Sequence, residues 1–376
     1  MRDEPLGGGR DTMLELHVLG TSSARFAHNR AVSGSFVMTP GGGLLVDCGE
    51  GLQQRLLNQN SALKKSELQI RCRMAKVRAI LFTHGHLDHC WGLLPMLHTM
   101  ALEGRTEPLT IIAPTSQKAI DWSINYPSKT PHVESGVDST DLAILFQQWQ
   151  SLGAKDEAFG FDIDWVLLPI EEESPFSCPI QPLKGVELTV VPTIHGVPSC
   201  AWMVATESGI GKFDREKVDL LNLTTEQIAT LADGDDVELD GTVLRADDFR
   251  GSEKPPRSLI ISGDTTGAVP AFSQLPIKPD LLLHEATFLV ANQEKAEMYN
   301  HSTSHDAARH AQISNTEVLA LTHYSSRITD SNVVEEEAKQ LHKRSIASDD
   351  GDIFTISRIG EITLYRRNDS WAKFQL

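Results

Sequence analysis

The chain has 376 residues, 40% of them hydrophobic and 23% charged, enough apolar material for one large α/β domain with insertions or for two domains. Its 51 acidic side chains against 34 Lys and Arg leave a net charge of −17, which excludes a protein that coats polyanions over its whole surface. Either the ligand is not a polyanion, or binding rests on a local basic patch and on metal ions within an acidic molecule.

The predicted elements alternate between strand and helix. Residues 14–19 alternate with period two and run into Gly20-Thr21-Ser22-Ser23, a strand and a turn. Residues 34–38 and 44–46 flank a Pro-Gly-Gly-Gly hairpin, and Asp47-Cys48-Gly49-Glu50-Gly51 opens a helix over 52–58. A strand over 77–82 leads into a histidine-rich loop, followed by a helix over 91–102, a strand over 109–113 and a helix from Ser116. Residues 127–160 read as an insertion whose helical part is 140–152. Strands resume at 162–168, 187–191 and 201–206. From 207 to 253 periodicity fades into an arm-like acidic segment, and its densest acidic run, 233–238, reads as a solvated loop or arm. Order returns with strands at 258–262 and 280–284, a helix at 304–312, a strand at 318–322, a helix at 332–342 and strands at 353–356 and 362–365. The expected organisation is a flexible tail over 1–12 and a single domain over 13–376.

No run of about 18 apolar residues exists, so no membrane span is expected. The first residues have no apolar core of a signal peptide. Five scattered cysteines (Cys48, Cys72, Cys90, Cys178, Cys200) with no CxxC pairing point to a reducing, cytoplasmic setting.

Four metal-capable side chains, His84, His86, Asp88 and His89, stand just after the strand at 77–82. No helix face gathers all four, whereas a loop at a strand end can aim them at two neighbouring centres. Neutral imidazole with carboxylate suits zinc, with manganese or iron as alternatives. Four later strands also end in a histidine or a carboxylate: His195, Asp264, His284-Glu285 and His323. One histidine after a strand is ordinarily structural; five such ends in one chain are a constellation.

With these segments named, the chain resembles the metallo-β-lactamase superfamily and, within it, the ribonuclease Z family of tRNA 3′-processing endoribonucleases. The signature HxHxDH reads here as His84-Gly85-His86-Leu87-Asp88-His89. Leu19-Gly-Thr-Ser-Ser23, Asp47-Cys-Gly-Glu-Gly51, Ser262-Gly-Asp264-Thr, His284-Glu-Ala-Thr-Phe288 with His301-Ser-Thr303, and Leu321-Thr-His323-Tyr-Ser-Ser-Arg327 match the narrower family.

The resemblance implies an αββα sandwich, two mixed sheets flanked by helices, holding two divalent ions, zinc or manganese. His84, His86 and His195 would hold one, Asp88, His89 and His323 the other, and Asp264 would bridge them. Positions left open by such a set suit catalysis and in-line phosphoryl displacement. Asp88 would also orient or deprotonate the attacking water. His301 would protonate the leaving oxygen or contact the scissile phosphate, Glu285 would orient His301, and Arg327 would grip a phosphate. The implied partner is a tRNA precursor, cleaved to leave a 3′-hydroxyl, and the implied assembly is a homodimer. Two departures stand out. The segment over 207–253 lacks the family's Gly-Pro-rich tip, and the usual Lys-x-Arg-Asn is blurred to Arg25-Phe-Ala-His-Asn-Arg30-Ala31. The alternative activity is a phosphodiesterase for small or cyclic nucleotides; without enzymatic activity, the chain would be an RNA- or protein-binding module.

Overall fold

The computed structural model describes residues 12–153, 159–209, 211, 213–239 and 241–376; all but the last residue of the expected tail lies outside them, and Thr12 opens the first strand. By internal contacts the chain divides into a larger unit, Met1–Thr206 with Arg257–Leu376, and a smaller one, Glu207–Pro256.

Two mixed sheets build the larger unit. The nine-stranded sheet runs, in spatial order, Trp371–Gln375, Ile362–Arg367, Ile353–Ser357, Thr12–Gly20, Gly34–Thr39, Gly42–Val46, Val77–Leu81, Leu109–Thr115 and Ile163–Pro169. The seven-stranded sheet runs Ser345–Ala347, Val318–Thr322, Leu281–Glu285, Ser258–Ile261, Cys200–Thr206, Val186–Pro192 and Phe176–Ser177. Alternation along each strand sends one set of side chains between the sheets and the other set outward. Leu14, Leu16, Val18, Val37 and Leu44 meet Leu188, Val190, Trp202, Leu259 and Leu281 in the layer between the sheets. Outside the first sheet the helices Leu52–Lys64, Leu93–Leu102 and Leu142–Ser151 close a second core through Leu56, Leu97, Phe146 and Trp149. Outside the second sheet the helices Ser304–Ile313 and Asn332–Lys339 close a third through Ala307, Ala311 and Val334. The layer order is therefore αββα.

Register explains why the strand-end residues meet. The neighbouring strands Ser258–Ile261, Leu281–Glu285 and Val318–Thr322 run parallel, with Ile261 opposite Leu283 and Leu283 opposite Ala320. Their carboxyl ends, and so Asp264, Glu285 and His323, emerge along one edge. Gly42–Val46 and Val77–Leu81 are also parallel, with Val46 opposite Leu81, which brings Asp47 beside Thr83.

In the stretch read as an insertion, residues 142–151 form a helix whose Leu142, Leu145, Phe146 and Trp149 belong to the core. Asp141 caps it, accepting from Ala143 N at 3.0 Å and from Ser116 Oγ at 2.8 Å.

The acids of the run at 233–238 are exposed, and only part of the run is loop. Asp233 ends the helix Thr225–Asp233, and Val237 starts a hairpin strand with its side chain buried. Within the smaller unit, Val218, Leu231, Val237, Ala246 and Phe249 form a small core of their own. Among the described residues no helix is long and apolar enough to cross a membrane.

Candidate metal centre

The seven side chains expected around the metals come together. His84, His86, His195 and Asp264 place one donor atom each within 4.8 Å of one another, as do Asp88, His89 and His323. Asp264 lies between the groups. Its Oδ2 is 3.7 Å from His84 Nε2 and 3.9 Å from His195 Nε2. Its Oδ1 is 3.3 Å from both His89 Nε2 and His323 Nε2. His301 Nδ1 stands 3.8 Å from Asp264 Oδ2 and donates to Glu285 Oε1 at 2.9 Å.

The donor set fits a cation. His195 Nδ1 donates to the Asn300 carbonyl at 2.8 Å and His89 Nδ1 to Asp47 Oδ2 at 2.7 Å, so their Nε2 atoms turn inward. His86 Nδ1 lies 3.1 Å from both His84 Nε2 and His195 Nε2, and His89 Nε2 lies 3.2 Å from His323 Nε2. Nitrogens this close repel unless a proton or a metal ion sits among them. The buried Asp264 Oδ1, with two imidazoles beside it, still makes no hydrogen bond. The cluster can hold metal ions.

Electrostatics follow from burial and from these neighbours. Burial drives the imidazole of His84 well below its usual pKa, and lowers His86 and His195 as well, which keeps their lone pairs free. For Asp264 burial opposes ionisation, but His323 and His89 outweigh it and hold the carboxyl well below its ordinary range. Burial works against charge on His301 too, yet the Glu285 carboxylate raises it to about 9.

Several contributors were not read from the sequence. Asp47 accepts from Thr83 N at 2.8 Å and holds His89, and both Asp47 and His323 sit at φ 60. Such left-handed backbone at non-glycine residues is strained and persists only where the surroundings over-determine it. Ala24, at φ 59, points its N–H at Asp88 Oδ2 at 2.7 Å. Gly85 does not take a positive φ. A Cβ there would lie 1.8 Å from the Thr140 carbonyl, so the glycine is needed for close approach of that backbone.

Three singled-out residues lie elsewhere or play a different local part. His284 turns into the core, where Nε2 meets His310 Nδ1 at 2.8 Å and Nδ1 meets the Glu285 carbonyl at 2.7 Å. The helix after His301 is capped by Thr303 in a capping box with Asp306, so His301 stands before the cap. Arg327 is exposed on the loop after His323, and its side chain makes no ion pair among the described residues.

Comparison with known proteins places the fold. Residues 14–144 match the family model described as Anti-Pycsar protein Apyc1. Ribonuclease Z of Myxococcus xanthus is 30% identical over 318 residues, covering 84% of this chain and 88% of the relative. Among solved structures, the metallo-β-lactamase fold protein YhfI from Bacillus subtilis superposes with a TM-score of 0.56 at 17% identity, over 92% of this chain and 100% of that one. The short form of human tRNase Z also gives a TM-score of 0.56, at 21% identity, over 90% of this chain and 98% of that one. A chain with this fold, this cluster and this extent of similarity belongs to the ribonuclease Z family.

Proposed function

We propose that the protein is a metal-dependent endoribonuclease that removes the 3′ trailer from tRNA precursors. The observation that carries this reading is His301, raised in pKa by Glu285 and standing 3.8 Å from the carboxylate between the two ligand groups, in a chain of the ribonuclease Z family. His84, His86 and His195 would hold one divalent ion, Asp88, His89 and His323 another, with Asp264 shared; zinc suits the set and manganese is the alternative. When bound, such a pair supplies the lowered water pKa and the charge neutralisation that phosphodiester hydrolysis needs.

The chain's own groups do the rest. Asp88 commits Oδ2 to Ala24 N–H, which leaves Oδ1 to orient or deprotonate the attacking water. His301 commits Nδ1 to Glu285, which leaves Nε2 to donate a proton to the departing 3′-oxygen. Arg327, exposed beside His323 in sequence, offers its fork to a phosphate.

An acidic protein needs another hold on RNA. Phe26, Trp91 and Tyr299 are 59%, 55% and 60% exposed on the segments that carry Ala24, Asp88 and His301. Aromatic faces so placed stack unpaired bases whatever their sequence, at about 1–3 kcal/mol per base. The small unit Glu207–Pro256 is assigned to the substrate arm. Its five-residue core supports an independent unit, although residues 207–256 carry 13 acids against 6 bases. The five cysteines are free and buried, which supports a reducing, cytoplasmic setting. The working assembly is a homodimer, checked by light scattering in solution.

The test is a side-by-side assay on a 3′-extended tRNA, bis-p-nitrophenyl phosphate and cyclic AMP. Cleavage of the tRNA precursor at micromolar concentration is expected. Turnover of only the small esters would replace this reading with a small-nucleotide phosphodiesterase.

A further inference from the structure

Two carboxylates brace the histidines of the centre from behind, and each reaches one ring directly and a second through a threonine hydroxyl. Asp47 Oδ2 accepts from His89 Nδ1 at 2.7 Å, while Thr83 Oγ1 lies 2.8 Å from the same oxygen and 3.1 Å from His84 Nδ1. Glu285 Oε1 accepts from His301 Nδ1 at 2.9 Å, while Thr287 Oγ1 lies 2.5 Å from Glu285 Oε2 and 2.9 Å from His323 Nδ1. The first brace follows strands of the nine-stranded sheet and the second a strand of the seven-stranded sheet.

A threonine hydroxyl has one proton to donate and two lone pairs to accept with. Beside an ionised carboxylate the proton goes to the carboxylate, because a charge-assisted hydrogen bond is roughly twice as strong as a neutral one. For Thr287 the His323 carbonyl competes at 3.0 Å, and the shorter, charged contact to Glu285 prevails. The hydroxyl oxygen is then an acceptor toward the ring. His84 and His323 then each carry a proton on Nδ1 and present Nε2 inward, toward Asp264 at 3.7 and 3.3 Å, with His323 Nε2 also 3.3 Å from Asp88 Oδ2. Among the described residues nothing else hydrogen-bonds Nδ1 of either ring. Both threonines are buried, and Gly263 packs so close that a Cβ there would lie 2.5 Å from Thr83 Cβ.

We propose that Thr83 and Thr287 are positioning residues that select the metal-binding tautomer, Thr83 for the His84–His86–His195 site and Thr287 for the Asp88–His89–His323 site. This rests on the reading of those side chains as metal ligands. It follows that the two sites can be unloaded one at a time by changes outside the ligand set.

The experiment is calorimetric titration of chelator-stripped protein with Zn²⁺. The parent should bind two ions. Thr83→Val should weaken one site about 10–100-fold and spare the other, Thr287→Val should do the reverse, and the serine variants, which keep the hydroxyl, should restore both. Added to His86→Ala, which already disables the first site, Thr83→Val should change nothing further, while Thr287→Val should weaken binding of the remaining ion about 10–100-fold. Valine variants that bind two ions with parental affinity overturn the inference. If the valine variants fail to fold, ¹⁵N NMR of the parent's imidazoles without metal decides. Nδ1–H on His84 and His323 is expected, and a ring that carries its proton on Nε2 with Nδ1 bare overturns it. A parent that binds no Zn²⁺ contradicts the metal centre itself; a parent that binds two beside unchanged variants contradicts this inference alone.

Discussion

The two ring nitrogens of His301 have different duties, and a substitution can separate them from the metals. Glu285 fixes Nδ1, which leaves Nε2 as the proton donor in the proposed reaction. His301→Ala should therefore keep both metal ions, leave KM for a tRNA precursor nearly unchanged and lower kcat by about 10²–10⁴, the usual contribution of a positioned acid. Metal analysis with steady-state kinetics checks this; loss of metals along with activity would move His301 into the ligand set. At this scale the sequence is legible where side-chain chemistry is rare. Four metal-capable groups within six positions have few structural explanations, and the later strand-end residues joined them through resemblance. Asp47 and Thr83 were not legible as contributors, because an aspartate or threonine after a strand is common and says nothing about what it faces. The position of Thr83 directly before His84, and of Asp47 at the end of a parallel strand, was the available signal. His284 marks the opposite limit. It ends a strand like the others, but its ring points to the core, which depends on the face it takes and not on residue type.

Strands that read as short apolar runs were legible to within a few residues. The strand expected at 77–82 is Val77–Leu81, and that expected at 318–322 is Val318–Thr322. Short strands such as Phe176–Ser177 and Ser345–Ala347 lack the length for a pattern, and Trp371–Gln375 lies mostly exposed at a sheet edge. In the acidic segment the helix Thr225–Asp233 has an N-cap threonine with a glutamine three residues on, a start signal present in the sequence but masked by the surrounding acids. Its core residues fall at irregular separations, so no periodicity marked them. The loop that carries His84 and His86 depends on an element distant in sequence, because Gly85 lies against the Thr140 carbonyl. Gly85→Ala puts a methyl group into backbone that cannot move aside. It should destabilise the protein by about 2–3 kcal/mol, the cost typical of overpacking, and reduce metal binding at both sites. Calorimetric melting with and without Zn²⁺ measures it, and a variant that melts like the parent would show that the two backbones are not in contact.

On the scale of the molecule the unresolved tension is a net charge of −17 on a protein assigned an RNA substrate. The architecture allows the acidic unit to be removed cleanly. Thr206 N donates to the Arg257 carbonyl at 2.8 Å, so the chain leaves and re-enters the seven-stranded sheet on paired neighbouring strands. Replacing residues 207–256 by a short glycine-containing turn should leave the remaining fold and the hydrolysis of bis-p-nitrophenyl phosphate intact. It should lower kcat/KM for a tRNA precursor at least ten-fold if this unit is the substrate arm. Equal rates on the precursor with and without the unit would assign it another role. The αββα fold and the course of the sheets were legible from strand order and motif together. The independent core of residues 207–256 was not, since composition alone made that stretch look solvated.

The central claim is that seven side chains from four strand ends form a centre that cuts RNA at one defined bond. The most direct measurement is end-mapping of the products that purified protein releases from a 3′-extended tRNA, beside the Asp264→Ala variant. The account predicts one cut just after the discriminator nucleotide, with a 3′-hydroxyl on the tRNA and a 5′-phosphate on the trailer, and no product from the variant. Scattered cuts, a different end chemistry, or an Asp264→Ala variant that cleaves as the parent does would contradict it.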